Sequence, residues 1–339
     1  MKTLLYPEFD RLEVAEQPKP APGAGEVLVK VAACGICGSE LEAFKNRSPR
    51  RTPPLILGHE FCGVVEGVGP GVELWAPGQA VVSHSLVPCG SCVRCARGDD
   101  HICAARQIFG MNRPGAFAEY VVAPARTLVA WPSGLAPAAA SLAEPLANGV
   151  HVVGLARKTA PSVVLVIGAG PLGLLCQQAF QRLSSADVLV ADRIPERLEA
   201  ARRVGAKEVI HAGEEDLVSR MAALTGGEGA DVVVDAAGSG RTKALSVKAT
   251  RPGGMTVWLG LHENAMSFDS HDVTLGERTL QGSYCASLDE LELAVDLLAR
   301  GRVDGASWVK SFPLDDGVDA FQRMLASKGD DIKAVLLPA

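Results

Sequence analysis

The sequence of 339 residues has few aromatic side chains, no excess of positive charge and no long apolar run. Its formal net charge is -6, which argues against a nucleic-acid partner, because such partners usually require a basic surface. The apolar run at 163–167 is followed by glycines and is far too short to cross a bilayer. The first eight residues turn polar too early for a signal peptide, so we expect a cytoplasmic protein without a membrane partner.

Composition and length are those of a globular chain with two domains. Hydrophobic residues make up 47% and charged residues 21%, so a core of normal size can be buried. The nine cysteines are odd in number, and in a reducing compartment we expect ligands or buried thiols from them and not disulfides.

The pattern of apolar residues changes near residue 141. Before it, short alternating runs such as 26–33 (EVLVKVAA) and frequent glycine turns predict a partly open β-barrel. After it, apolar runs alternate with helical stretches, which predicts a parallel, doubly wound sheet and hence an α/β fold class. The predicted strands are 163–167, 187–191, 231–235, 255–259, 279–282 and 332–337, and the predicted helices are 171–183, 195–204 and 288–299.

Four cysteines lie close together, with the spacing C-x2-C-x2-C-x7-C. Two-residue gaps allow successive thiolates to turn inward on one loop, and four thiolates hold a tetrahedral zinc with no open position. The spacing therefore predicts a structural zinc on Cys89, Cys92, Cys95 and Cys103. The alternatives are free buried thiols or an iron–sulfur cluster, although no proline follows the last cysteine as it does in ferredoxins.

Two other fragments carry metal-binding side chains, 34–39 (CGICGS) and 58–60 (GHE). A thiolate, an imidazole and a carboxylate form a mixed zinc set that leaves one position for water or substrate, as catalysis requires. Each fragment alone is weak evidence for a metal site. A lone histidine is more often an ordinary hydrogen-bonded residue, and Cys34 is explained equally well as a buried thiol.

A glycine-rich turn follows the strand at 163–167 and opens the next helix. Its G-x-G-x-x-G glycines are Gly168, Gly170 and Gly173, and the helix begins with Pro171 and Leu172. In this setting the turn predicts dinucleotide binding, with the pyrophosphate at the helix N-terminus.

The following strand ends in Asp192, where a carboxylate binds the ribose hydroxyls of NAD. Arg193 is the alternative signal, for the 2'-phosphate of NADP, but Asp192 would repel that phosphate. We therefore expect NAD in preference to NADP.

Along the chain the motifs follow one another as CGICGS at 34–39, GHE at 58–60, the four cysteines and the glycine-rich turn. This order resembles that of the zinc-dependent medium-chain dehydrogenase/reductase family, in its alcohol and polyol branch of sorbitol and galactitol-phosphate dehydrogenases. The resemblance covers the whole chain. It implies a GroES-like catalytic domain at 1–148 and 284–339, and a Rossmann domain at 149–283. It also implies one catalytic and one structural zinc, and a homodimer or homotetramer paired through the strand at 279–282.

The resemblance assigns roles to individual residues. Cys37 and His59 are implied as catalytic zinc ligands, with Glu60 in or beside the same set. Glu144 matches the Glu-Pro of the polyol branch, and we expect Glu60 and Glu144 to share the ligand role. The alternative for Glu144 is a carboxylate at the start of a helix. Ser39 matches the residue that relays the alcohol proton, and the neighbouring Glu40 replaces the usual aspartate.

The predicted activity is hydride transfer between NAD and a secondary alcohol, a polyol or sugar alcohol, free or phosphorylated. The alternatives are a threonine-type dehydrogenase and a non-catalytic dinucleotide-binding protein. The basic residues Lys45, Arg47, Arg50 and Arg51, with Arg113, are candidates for an anionic substrate group, although a solvated loop is the commoner explanation for the first four.

Overall fold

The computed structural model describes residues 1–327, 329 and 331–338. Two compact units divide the chain. The first contains Met1–Glu144, Ser287–Ser327 and the segment that begins at Asp331, and the second contains Pro145–Ala286 together with Gly329. These limits lie within a few residues of the predicted boundaries at 148 and 284. Residue 339, the predicted end of the first domain, lies outside the described residues.

Strands and short helices dominate the first unit, whereas strands alternate with longer helices in the second. The strands are β1 (Lys2–Glu8), β2 (Arg11–Glu16), β3 (Glu26–Gly35), β4 (Leu55–Ile56), β5 (Glu60–Val68), β6 (Ala80–Ser83), β7 (Leu86–Val87), β8 (Gln107–Ile108), β9 (Tyr120–Pro124), β10 (Leu128–Ala130), β11 (Val163–Ile167), β12 (Asp187–Asp192), β13 (Glu208–His211), β14 (Ala230–Asp235), β15 (Thr250–Trp258), β16 (Thr279–Gly282), β17 (Val309–Pro313) and β18 (Lys333–Leu337). The helices are α1 (Gly38–Lys45), α2 (Val93–Ala96), α3 (Pro137–Ala140), α4 (Ala143–Ala156), α5 (Pro171–Leu183), α6 (Pro195–Arg203), α7 (Leu217–Leu224), α8 (Gly240–Ala249), α9 (His271–Thr274), α10 (Leu288–Ala299) and α11 (Gly317–Ala326). Short 3-10 turns cover Asp100–Ile102, Ala125–Thr127, Arg157–Thr159 and Leu314–Asp316.

The main sheet of the first unit has the strand order β10-β6-β5-β3-β18-β17, and β9 also pairs with β3. The central strand β3 carries three valines and ends in small residues, and it is buried at most positions although Lys30 is exposed, which suits a strand with neighbours on both sides. Its antiparallel partner β5 places Glu60 opposite Gly35, while β18 places Val335 opposite that same glycine. Three segments distant in sequence therefore meet at the end of β3.

The second unit contains a parallel sheet with the order β13-β12-β11-β14-β15-β16. This is the order of a dinucleotide-binding sheet, with its reversal point between β11 and β14. The innermost strand β11 (VVLVI) is almost completely buried, as expected for a parallel strand covered by helices on both faces. The predicted doubly wound α/β fold is confirmed. Among the described residues, no helix is both long and apolar enough to span a membrane.

Candidate active site and metal centres

Cys37, His59 and Glu60 converge at the end of β3. One potential ligand atom from each of these residues lies within 4.8 Å of the others. The pairing of β3 with β5 produces this convergence, because Cys37 follows β3 and Glu60 begins β5. Cys37 also directly precedes α1 as its N-cap residue. The residues predicted as a mixed zinc set are thus brought together.

Glu40 orients the histidine of this set. Its side chain is fully buried, its Oε1 lies 3.0 Å from His59 Nδ1, and it also accepts the Gly58 N–H at 2.8 Å. Metal-binding histidines commonly donate their second ring N–H to a carboxylate, which fixes the ring. We assign the Nδ1 proton to the bond with Glu40, which leaves Nε2 as the metal-binding atom. Glu40 is one methylene longer than the aspartate usual at this position, and its carboxylate still contacts His59.

Protons and a metal ion compete for the same imidazole. Burial lowers the pKa of His59, but Glu40 and the Cys37 sulfur raise it more, and the net pKa lies well above the usual value. Since a metal binds only the neutral ring nitrogen, metal affinity at this site should fall as the pH falls.

Lys333 was missed by sequence reasoning and completes the surroundings of the candidate metal site. Its side chain is 1% exposed, and its ammonium donates to the Ile36 carbonyl at 2.9 Å and to Glu60 Oε2. Burial lowers the pKa of Lys333, whereas the charges of Glu60 and Cys37 raise it above its ordinary value, so the ammonium stays charged. A lysine in the apolar stretch 332–337 is the sequence signal that could have revealed this contact.

Glu144 lies in the first turn of α4 and is 7% exposed. Burial raises the pKa of its carboxyl and Glu60 raises it further, while His59, the Ser85 hydroxyl and His84 act in the opposite direction. Within the part of the chain that the structure describes, Glu144 is not a member of the compact group formed by Cys37, His59 and Glu60. It is a helix-start carboxylate close enough to that group to feel its charges.

The charges around the candidate site balance once a divalent cation is counted. The ionised forms of Cys37, Glu40, Glu60 and Glu144 carry four negative charges, and Arg51, Lys333 and a divalent cation would carry four positive ones. Lys333 therefore offsets the negative charge that a second carboxylate adds beside the position of a Lewis acid.

Ser39 and Arg51 lie beside the same group. The exposed Ser39 hydroxyl is 3.4 Å from Cys37 Sγ. Arg51, by contrast, is only 5% exposed and donates to Ser39 Oγ at 3.1 Å and to the Ser39 carbonyl at 2.8 Å. The solvated-loop interpretation is therefore wrong for Arg51, whereas Lys45, Arg47 and Arg50 are exposed.

Arg113 does not contact the candidate metal site. Its guanidinium donates to Glu26 at 2.9 Å and to the Val122 carbonyl at 3.0 Å, and it packs over the Phe109 ring. A role for Arg113 as the partner of a substrate carboxylate is contradicted by these contacts, because the carboxylate of Glu26 already occupies it.

The four predicted structural cysteines form a compact cluster of sulfurs. Cys92 Sγ lies 3.5 Å from Cys95 Sγ and 3.8 Å from Cys103 Sγ, and Cys89 Sγ lies 3.5 Å from Cys103 Sγ and 3.9 Å from Cys95 Sγ. Sulfurs bound at roughly 2.3 Å to a tetrahedral zinc are separated by about 3.8 Å. The cluster therefore fits one zinc ion with four thiolates.

Without a cation the cluster cannot be fully ionised. Backbone N–H groups of Ser91 and Cys92 lower the pKa of Cys89 to about 6, whereas burial and the neighbouring sulfurs raise the pKa of Cys95 to about 12. A divalent cation would lower the pKa of the Cys95 thiol again, because metal binding deprotonates a coordinating thiol.

Arginines brace the loop around these sulfurs. Arg94 donates to the Ile102 carbonyl at 3.1 Å, and Arg106 donates to the Cys103 carbonyl at 2.8 Å. Their positive charges also offset the net negative charge that four thiolates and one Zn²⁺ would carry.

The glycine-rich turn joins β11 to α5 as predicted. Gly168 has a φ of 99°, a conformation that a residue with a side chain rarely adopts. A Cβ atom on Gly173 would collide with the Gly168 carbonyl oxygen, so the turn can pack against the helix only without one. A Cβ on Gly170 would meet no atom within 4 Å, which leaves open space at the helix N-terminus, where Pro171 and Leu172 begin α5. A pyrophosphate fits such a site.

Asp192 ends β12 beside this turn. Its carboxylate accepts N–H bonds from Ala169 at 2.7 Å, Arg193 at 2.7 Å and Ile194 at 3.0 Å. These bonds hold the negative charge in place, so it cannot swing away from a ligand. The side chain of Arg193 is exposed.

Both units match known families. Residues 23–133 match the model of the alcohol dehydrogenase GroES-like domain, and residues 171–300 match that of the zinc-binding dehydrogenases. The chain belongs to the zinc-dependent medium-chain dehydrogenase family. This membership confirms the predicted family and the GroES-like and Rossmann folds. It also identifies the chain as an oxidoreductase that uses zinc and a nicotinamide dinucleotide.

Relatives of this dehydrogenase include L-threonine 3-dehydrogenase from Pyrococcus furiosus, which is 36% identical over 97% of this chain and 95% of its own length. Solved structures with a TM-score of 0.92 include the alcohol dehydrogenase rspB from E. coli CFT073 with NADH, which is 30% identical to this chain. The match covers 100% of this chain and 99% of that one. A zinc-binding dehydrogenase from Sinorhizobium meliloti bound to NADP has the same TM-score and 30% identity, with 99% of both chains covered. Galactitol-1-phosphate dehydrogenase from E. coli also has a TM-score of 0.92, with 29% identity and 100% of both chains covered.

Proposed function

We propose that this dehydrogenase oxidises the secondary alcohol of a polyol or sugar alcohol with NAD. The observation that supports this best is the convergence of Cys37, His59 and Glu60, with the carboxylate of Glu144 close by. Three protein ligands leave a fourth position of a tetrahedral zinc for an alcohol, as in catalytic sites. A non-catalytic dinucleotide-binding protein would have no need of such an open site.

In the proposed reaction the substrate carbon loses a hydride to NAD and the substrate oxygen loses a proton, which gives a ketone, NADH and H⁺. Bound zinc would polarise the alcohol oxygen and lower its pKa. Glu40 holds the imidazole of His59 in place, and Lys333 neutralises Glu60. Ser39, beside Cys37, is positioned to exchange a hydrogen bond with the alcohol oxygen as its proton leaves.

The polyol preference follows from the polar groups beside the candidate site. Glu144 interacts with the Ser85 hydroxyl and is influenced by His84, so carboxylate, hydroxyl and imidazole groups lie together. A neighbouring hydroxyl on the substrate could add a hydrogen bond to a carboxylate of this set, a contact that a simple aliphatic alcohol cannot make. Hydrogen bonds to a substrate hydroxyl give strong discrimination against an analogue that lacks it.

L-Threonine is the second candidate, and it is favoured by the identity to threonine dehydrogenases such as that of Pyrococcus furiosus. It would need a cation for its carboxylate. Of the basic residues considered from sequence, Arg113 is already paired with Glu26, and Arg51 donates its hydrogen bonds to Ser39 and Gly110. These contacts leave neither arginine as the partner of a threonine carboxylate, and they favour the polyol.

A substrate panel tests this proposal. Polyols, sugar-alcohol phosphates, simple secondary alcohols and L-threonine would each be incubated with NAD, and NADH formation would be followed by absorbance. We expect the largest kcat/KM for a polyol or its phosphate. Strong activity on threonine or on simple alcohols, with none on any polyol, would reject the proposed substrate class but not the dehydrogenase assignment.

We further propose a preference for NAD over NADP, which depends on the fixed charge of Asp192. Wild-type enzyme should show a higher kcat/KM with NAD. Substituting Asp192→Asn keeps the shape of the side chain but removes the charge, and should weaken NAD binding about tenfold while reducing discrimination against NADP. Asp187→Asn, at the exposed start of the same strand, is the matched control and should change neither value. A wild-type enzyme that prefers NADP would instead assign Arg193 to the 2'-phosphate.

We also propose that the protein is cytoplasmic, where its thiols stay reduced, and that it forms a homodimer or homotetramer. The support for self-association is β16, which lies at the edge of the parallel sheet and can pair with another chain. Leu275, just before this strand, is 81% exposed, which is unusual for a large apolar side chain and favours a contact there.

A further inference from the structure

Arg51 is a buried cation whose contacts centre on Ser39. It lies in the segment between α1 and β4. Its Nε donates to the Gly110 carbonyl at 3.1 Å, and its two terminal nitrogens donate to the carbonyl and the hydroxyl of Ser39. Its charge also acts on the buried carboxylate of Glu40. The guanidinium therefore links the residue that orients His59 with the hydroxyl beside Cys37.

The direction of the Arg51–Ser39 bond is fixed by chemistry. A guanidinium only donates hydrogen bonds and stays protonated in proteins, so the Ser39 oxygen must be the acceptor. The single hydrogen of the serine hydroxyl is then left to point elsewhere, and in the structure Cys37 Sγ lies 3.4 Å away. The alcohol oxygen of a bound substrate would be an alternative acceptor for this hydrogen.

We propose that Arg51 is a positioning residue that holds the Ser39 hydroxyl as a polarised hydrogen-bond donor toward the substrate oxygen. A hydroxyl that accepts from a cation becomes a stronger donor, because hydrogen bonds in a chain polarise one another. It then favours the deprotonated alcohol, from which hydride leaves. Arg51 accepts no proton itself, so the proton released by the alcohol leaves by another route. This inference rests on the proposed function only in requiring alcohol oxidation, whatever the alcohol.

A double-mutant cycle tests the coupling between the two residues. The variants are Arg51→Gln, Ser39→Ala and the double substitution, each assayed with the alcohol that wild-type enzyme oxidises fastest. We expect Arg51→Gln to lower kcat about tenfold when Ser39 is present and by less than about twofold when residue 39 is alanine. An equal loss in both backgrounds would show that Arg51 acts only through the fold and would overturn the inference.

A binding measurement gives a readout that does not depend on turnover. Trifluoroethanol is more acidic than ordinary alcohols and a poor hydride donor, and its affinity for the enzyme–NAD complex can be followed by fluorine NMR. Arg51→Gln should weaken its binding about tenfold and leave the affinity for NAD unchanged. Unchanged trifluoroethanol affinity would contradict the proposal.

Matched variants separate positioning from stability. Arg113→Gln also removes a largely buried guanidinium from the first unit, but one bonded to Glu26 and not to Ser39, so it should not change kcat. If Arg51→Gln does not fold, the cycle is run with Arg51→Lys, which keeps the charge but not the forked geometry. We then expect Arg51→Lys to lower kcat less than the tenfold expected of Arg51→Gln, and only when residue 39 is serine. If the enzyme oxidises threonine and rejects polyols, the proposed substrate is wrong. The double-mutant cycle can still be run with threonine, and it tests the role of Arg51 in the same way.

Discussion

Replacing His59 by alanine is expected to abolish alcohol oxidation while NAD binding persists. The substitution removes one of three converging candidate metal ligands and leaves the buried carboxylate of Glu40 without its imidazole partner. Since a zinc ion contributes several kcal/mol of transition-state stabilisation, kcat should fall by at least about a thousandfold. The rate of NADH formation measures the loss of kcat, and calorimetric titration with NAD measures the NAD affinity that the variant retains.

The control for this substitution is His271→Ala, because His271 is exposed and belongs to the other unit. It should retain full turnover. Cys37→Ser should behave like His59→Ala, since it removes the thiolate from the same group. Turnover retained in either variant would reject the catalytic assignment of the Cys37–His59–Glu60 group.

Replacing Cys92 and Cys95 together by serine should remove one of two zinc ions per chain and strongly destabilise the first unit. Structural zinc contributes roughly 10–16 kcal/mol of apparent binding free energy in small zinc domains, and much of that would be lost here. Elemental analysis gives the metal content, and thermal unfolding gives the stability. We expect one zinc per chain and a markedly lower Tm.

The matched control is Cys176→Ala, since burial raises the pKa of this thiol to about 12 and it lies in the other unit. It should keep both zinc ions. If the Cys92 and Cys95 double variant kept its zinc and its thermal stability, the structural site would be refuted.

Local patterns predicted the nucleotide-binding unit well. The strand at 163–167 and the helix at 171–183 coincide with β11 and α5, because a fully apolar strand, a glycine turn and a proline at the first helical position are strong local signals. The cysteine spacing was equally informative, since the ligands are close in sequence. In these regions the determinants of structure lie within a few residues of each other.

Sequence patterns failed where the determinants are distant or irregular. The strand β15 begins at Thr250 and not at 255, because a register shift admits Pro252 and two glycines that ordinarily exclude a strand. Arg51 looked like part of a solvated basic loop, and nothing near it in sequence shows that it bonds to Ser39. Lys333 approaches Glu60 only because β18 pairs with β3.

The contact between Lys333 and Glu60 joins residues 273 positions apart in the chain, and that between Lys333 and Ile36 spans 297. During synthesis on the ribosome, Cys37, His59 and Glu60 emerge long before the lysine that neutralises them. The nascent chain must therefore carry an incompletely balanced set of charges until β18 is made. We expect the catalytic centre to mature only after β18 has been made and has paired with β3, whereas the cysteine lobe, whose ligands span 89–103, can capture its metal well before β18 is made.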